Sequence, residues 1–229
     1  MSAWVNTFLF GIYPYICFSV FLIGSVIRFD REQYTWRSQS SQLLRRRQLI
    51  WGSNLFHVGI LMLLFGHTGG LLTPVAVFEA LGISHTAKQL TAIVIGGVAG
   101  TMCLVGLVML LHRRLMDPRI RRTSSFADIA VLAILLAQLS LGLGSIHVSL
   151  HHLDGSEMVA LMNWAQHVVT LRSGAADFVA GVSPIFKIHL VLGMTIFLIF
   201  PFTRLVHFLS APIWYLGRKG YQIVRRAGA

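Results

Sequence analysis

Acidic residues are scarce in this chain: eight Asp and Glu stand against 19 Lys and Arg in 229 residues, and charged residues of both signs make up only 12%. A soluble domain carries about twice that charged share, so a water-soluble globular fold is excluded. Cysteine is nearly absent, with only Cys17 and Cys103. Both fall in apolar stretches, and their spacing supports neither a disulfide nor a two-cysteine metal motif, so they read as packing residues. No Cys-x-x-Cys-His sequence occurs, which excludes covalent haem attachment, and nothing in the chain could bind an iron–sulfur cluster or a molybdenum cofactor. Internal repeats, low-complexity tracts and long polar domains are missing too.

What is present is apolar surface, at 55% of residues and a mean hydropathy of +0.70. The few charges cluster, leaving charge-free stretches at 1–27, 48–78, 89–112, 129–153 and 188–203. Each can supply the roughly 20 residues that span a bilayer once its flanks are used. The expected fold is therefore an all-α integral membrane protein: a bundle of five transmembrane helices forming one domain over 1–229. The fifth stretch is the shortest. Its helix must extend from about Ser183 to about Leu209, with Lys187 snorkelling outward and Arg204 inside the helix. The first stretch lacks a basic leader and its first cation, Arg28, follows the apolar body, so it reads as a retained anchor and not a signal peptide.

Basic residues set the expected orientation. With the N-terminus outside and the C-terminus inside, 16 of the 19 Lys and Arg fall in inner segments, leaving Lys88, Arg172 and Lys187 outside. The net charge of +11 is then topological. A nucleic-acid partner is excluded, because it would need a soluble basic face and these arginines sit at helix ends.

The stretch "SNLFHVGILMLLFGH", 53–67, carries no formal charge yet holds His57 and His67. They lie about 15 Å apart along a helix axis, His57 toward the inside. The fifth helix runs the other way and places His189 outside and His207 inside, about 27 Å apart on nearly one face. Depth pairs His67 with His189 and His57 with His207. Ionisable groups in lipid are costly and usually functional. Two imidazoles facing each other across a bundle can supply both axial ligands of a b-type haem, and Gly59, Gly66, Gly69, Gly70 and Gly193 leave room for a flat macrocycle. The two axial separations do not match, so the helices or the planes they hold must tilt. His147, His151 and His152 read as solvated loop histidines.

The segments "YPYICFSVFLIGS", "QYTWRSQSSQ", "SNLFHVGI", "LLTP", "DGSEMVALMNWAQHVVT" and "HLVLGMTIFLIFPFTRLVH" occur in order over nearly the whole chain. Together they resemble the gamma, cytochrome b, subunit of membrane-bound respiratory nitrate reductase. The resemblance implies two stacked b haems, with His57 and His207 as axial ligands of the inner haem iron and His67 and His189 of the outer. It implies residence in the cytoplasmic (inner) membrane of a bacterium or archaeon. It further implies quinol oxidation near the outer haem with Lys88 at the site, and His67, with Gly66 allowing close approach of the ring, is expected to share that site. Electrons would then pass to a cytoplasmic iron–sulfur (beta) subunit and on to a molybdenum-containing catalytic (alpha) subunit that reduces nitrate. The segment "EALGISHTAKQL" departs from the family pattern next to Lys88.

Arg204, three residues before His207, is a candidate partner for a propionate of the inner haem. The basic segment 28–50 with Tyr34 and Trp36, and the tail with Tyr221, form the expected docking surface for the iron–sulfur subunit. Other readings are a dihaem anchor of a hydrogenase or formate dehydrogenase, and a haem-free permease using its histidines for proton coupling.

Overall fold

The computed structural model describes residues 2–32, 34, 44–210 and 217. Among them there is no strand. Five helical segments are long and apolar enough to cross a membrane: Ala3–Arg31, Arg46–Leu72, His85–Met116, Phe126–His151 and Pro184–Phe202. Their order and number are those expected from the charge-free stretches. The first comprises α1 (Ala3–Thr7), a π-helical turn (Phe8–Ile12) and α2 (Tyr13–Arg31). Next come α3 (Arg46–Leu72), the short α4 (Val75–Ala80) and α5 (His85–Met116). After α6 (Pro118–Arg122) follow α7 (Phe126–His151), α8 (Ser156–Val169), α9 (Ala175–Phe178) and α10 (Pro184–Ile199).

Local chemistry explains where several of these helices begin. Ser84 accepts the Ala87 amide at the start of α5. Ser125 and Asp128 form a reciprocal capping box at the start of α7, each side chain taking the other's backbone N–H. Gly155, at φ +76°, turns the chain into α8 in a backbone conformation that costs glycine little.

Glycine also sets the tightest helix contact. α3 and α5 approach so closely that a Cβ on Gly59 would lie 2.7 Å from the Ala99 carbonyl oxygen and from the Cys103 nitrogen. One on Gly106 would overlap the backbone of Phe56 and lie 2.7 Å from the Gly52 oxygen. Cys103 and Leu107 are completely covered there and pack with Leu132 and Leu139 of α7. A second core at the Lys88 end joins Phe10, Trp164, Val168, Ala176 and Val179. The π-turn in the first spanning segment leaves the Phe10 carbonyl to accept the Trp164 indole N–H at 2.9 Å.

Two expectations are corrected. The fifth helix does not run unbroken from 183 to 209: α10 ends at Ile199, and Phe200–Phe202 and Arg204–Ser210 form 3-10 turns separated by an extended Thr203. Pro201 has no amide hydrogen, and its ring would clash with the carbonyl of the preceding turn, so a straight helix stops there. Arg204 therefore lies beyond the helix. Between the fourth and fifth spanning segments lie α8 and α9, and α8 packs against α3 and α9. His147 and His151 sit on the last turns of α7 with ring centroids 4.6 Å apart, not in a loop, and His152 caps that helix.

Candidate functional site

Four imidazoles meet in the seam between α3 and α10. α3 packs along α5, and α10 packs on α2 and α7, but α3 and α10 make no comparable contact with each other. Across this seam the ring centroids of His57 and His207 lie 6.1 Å apart, nearly perpendicular at 75°. Those of His67 and His189 lie 6.4 Å apart at 38°. The pairs that the fold brings together are those expected from depth. The 27 Å separation expected of one continuous helix does not apply, because α10 ends at Ile199 and its axis does not extend to His207.

Each ring is held through Nδ1. His57 donates to the Ser53 carbonyl at 2.7 Å, His67 to Leu63 at 2.7 Å, His207 to Arg204 at 2.5 Å and His189 to Gln138 at 3.1 Å. A carbonyl can only accept, so Nδ1 carries a proton, and in the neutral ring this leaves the lone pair on Nε2, the arrangement of a ligating histidine. His189 takes its anchor from α7. Gly142 makes that approach possible, since a Cβ there would lie 3.0 Å from His189 Cε1.

The spacing allows a test of what the pairs fit. Metal–imidazole bonds of about 2.0 Å, with each ring centre about 1.1 Å behind its nitrogen, put two ring centres on one metal about 6 Å apart. Both pairs match. Among the described residues no group of three or more His, Cys, Asp or Glu could hold a metal ion. A metal held by either pair would find no third ligand among the described His, Cys, Asp and Glu side chains, and a porphyrin supplies iron with such remaining ligands. Space exists on α3, where Cβ atoms on Gly66, Gly69 and Gly70 would meet nothing within 4 Å. Gly59 and Gly193 are different. Gly59 is closed by α5, and Gly193 faces the Gln138 amide, 3.1 Å from its Cβ position.

At the His67 end, Lys88 reaches from the first turn of α5 to α3. Its Nζ donates to the Gly70 carbonyl at 2.9 Å, lies against Met162 Sδ and sits 4.0 Å from the Phe78 ring centre. Lys88, Gly66 and His67 thus gather at one end of the bundle. α8 covers that end, with Gln166 Nε2 donating to the carbonyls of Leu71 and Thr73, each at 3.1 Å. Lys187 turns elsewhere, to the Ala180 carbonyl. At the opposite end Arg204 grips Asp128, with its Nη2 2.7 Å and its Nε 2.8 Å from Oδ1.

Asp128, Gln138, Gly142, Met162 and Gln166 were not singled out by the sequence. A lone Gln at the centre of an apolar stretch and an Asp at the start of one were the available signals. Trp36, Arg37 and Tyr221 of the expected docking surface lie outside the described residues. Tyr34 is exposed.

Five apolar helices, each long enough to cross a bilayer, define a multi-pass membrane protein that is all-helical among the described residues. The family model of the nitrate reductase gamma subunit matches residues 6–227, and the chain belongs to that family. It is 52% identical to the respiratory nitrate reductase 1 gamma chain of Escherichia coli K12 over 96% of this chain and 97% of that protein. Identity to the respiratory nitrate reductase 2 gamma chain of the same strain is also 52%, over 98% and 99%. For the nitrate reductase gamma chain of Bacillus subtilis it is 38%, over 95% and 97%.

Proposed function

We propose that this chain oxidises membrane quinol and relays the electrons through two b haems to a soluble nitrate-reducing assembly. The observation that carries this reading is the pair of imidazole spacings, 6.1 and 6.4 Å, each with Nδ1 committed to a carbonyl. His57 and His207 would hold one haem, and His67 and His189 the other. Haem supplies a one-electron carrier, which a chain without clusters or redox cysteines otherwise lacks.

Family membership and the excess of basic residues support an N-terminus on the outer face of the cytoplasmic membrane and a C-terminus inside. On that orientation Lys88, Gly66 and His67 form the quinol site at the outer end. Lys88 Nζ, steadied on the Gly70 carbonyl, presents an N–H to a quinol oxygen, and the open surface at Gly66 admits the ring. A quinol gives up two electrons and two protons. The protons leave on the outer side and the electrons travel inward, so charge crosses the membrane without a proton pump. Arg204 keeps one edge of its guanidinium on Asp128, and Nη1 is the atom that would meet a haem propionate. An iron–sulfur subunit would dock over 28–50 and the C-terminal tail, and a molybdenum-containing subunit beyond it would reduce nitrate.

The test is the visible spectrum of the purified protein before and after adding a quinol. Reduced b-type bands that appear on quinol addition support the relay. A preparation without them refutes it and favours proton-coupled transport by the same histidines.

A further inference from the structure

His207 differs from the other three histidines in its support. His57, His67 and His189 sit on regular α-helix, where neighbouring turns fix the backbone. His207 sits on a 3-10 turn that follows the break at Pro201 and an extended Thr203. Short 3-10 turns have poorer hydrogen-bond geometry than α-helix and hold themselves less firmly. Something outside the segment must hold this imidazole opposite His57.

Two polar contacts do so from different sides. From α2, Arg28 Nη1 donates to the carbonyls of Pro201 at 2.7 Å and Thr203 at 2.8 Å, on either side of Phe202 at the break. Gly24, one turn earlier on α2, admits the Pro201 ring, which a Cβ would approach to 2.8 Å. From α7, Asp128 takes the Nε and Nη2 of Arg204 on Oδ1. Its Oδ2 accepts the Ser125 amide at 3.0 Å and lies 3.4 Å from Arg114 Nη1 of α5. Arg114 also donates to Ser124 Oγ at 2.8 Å. The Arg204 carbonyl, in turn, is the atom that holds His207 Nδ1. A covalent and hydrogen-bonded path therefore runs from the Asp128 carboxylate through Arg204 to the imidazole.

We propose that Asp128 and Arg28 are positioning residues for His207: a two-sided clamp on residues 201–204 that fixes the orientation of this imidazole and sets the redox potential of the haem it ligates. This rests on the haem reading above. The clamp is asymmetric in charge. Asp128 faces two arginines, so removing its charge leaves an uncompensated positive field beside one histidine pair and none beside the other. A positive field favours the electron-rich, reduced form of a nearby redox centre.

The experiment is a potentiometric titration and electron paramagnetic resonance of the membrane-bound assembly carrying Asp128→Asn or Arg28→Lys. Each haem is assigned beforehand by its loss in His207→Ala or His189→Ala. Asparagine keeps the shape and loses the charge. Lysine keeps the charge but, as a compact ammonium, lacks the planar fork of the guanidinium. In Asp128→Asn, the potential of the haem that His207→Ala removes should rise and its low-spin signal should shift, while the other haem keeps both. Asp128→Glu should return the potential toward wild type. In Arg28→Lys the signal of the same haem should shift, with a smaller change of potential. If Asp128→Asn does not accumulate, Arg28→Lys decides by the same criterion. Unchanged potentials and signals in both variants, or equal shifts of both haems, would overturn the clamp. A wild-type protein without b-type bands would instead overturn the haem reading itself.

Discussion

The two halves of α3 carry the same residue type and meet opposite surroundings. Gly59 lies so close to the backbone of α5 that a Cβ would collide, and Gly52 is tightly fitted there, with Met109 Cβ 3.1 Å and the Gly106 oxygen 3.3 Å from its Cβ position. Gly66 and Gly70 continue the same helical stripe by spacing, and Gly69 lies beside it, yet nothing approaches their Cβ positions. At one end glycine closes a helix contact, and at the other it leaves a surface open next to His67 and Lys88. A glycine in an apolar helix is thus no sign of a ligand by itself. Its meaning comes from the element packed opposite, and α5 packs tightly opposite only one half.

The largest expected effect concerns what the open seam holds. Replacing His67 or His189 with Ala should abolish one b-type haem, and replacing His57 or His207 the other, as counted by haem extraction and redox titration. Loss of the same haem from His57→Ala and His67→Ala would break the assignment of one group to each half of the helix.

Next is a direct contrast within the stripe. Gly59→Ala must push apart two backbones and should cost at least about 2 kcal/mol, read as a lower unfolding midpoint in detergent. Gly66→Ala should leave that midpoint within about 0.5 kcal/mol of wild type while slowing quinol-dependent haem reduction. Equal destabilisation by both would mean that the open half is closed in the membrane.

Lys88→Ala should sharpen the reading of the open half. Losing a charged hydrogen bond to quinol should reduce quinol-dependent reduction by about tenfold or more and weaken quinone-analogue inhibitors, with both haems retained. An unchanged rate with unchanged inhibition would leave Lys88 as an ordinary interfacial cation.

The smallest effect lies at the closed end of α3, outside the spanning helices. Asp117 accepts the amides of Arg119 and Ile120 and the Arg45 Nε at 3.0 Å. Burial works to raise its pKa, but the Ile120 and Arg119 amides and then Arg45 outweigh this and hold it below the usual carboxylate value. Its contribution is therefore complete above the usual carboxylate range and is lost as pH falls through the depressed value. Asp117→Asn should make stability slightly less sensitive to acid, measured as the pH dependence of the unfolding midpoint.

Much of the bundle was legible because burial in lipid imposes length and hydropathy on a spanning helix, and charge clusters mark the ends. The histidine pairs were legible for a related reason: an imidazole stands out in a charge-free stretch, and helical rise converts spacing into depth. The failures have physical causes as well. Pro201 lies inside an apolar stretch that hydropathy reads as continuous, so the break that carries His207 was hidden. The stripe of glycines on α3 looks uniform in sequence, because the distinction between Gly59 and Gly66 lies in a partner helix. Asp128 was read only as the end of a charge-free stretch, although its value comes from Arg114 and Arg204, which are close only after α5, α7 and the last segment have packed.

Each opposed pair draws one member from α3 and the other from the last spanning segment or the turn after it. A chain is made from its N-terminus, so α3 can close on α5 while neither pair yet exists. Both pairs come into being in one event, when the final segment inserts. A nascent chain cut short just before α10 would hold α3 packed on α5 with its two imidazoles unmatched, and no group could be shared by a pair until the segment carrying His189 and His207 has been made. The order of synthesis thereby makes the α3–α5 contact early and both histidine pairs late.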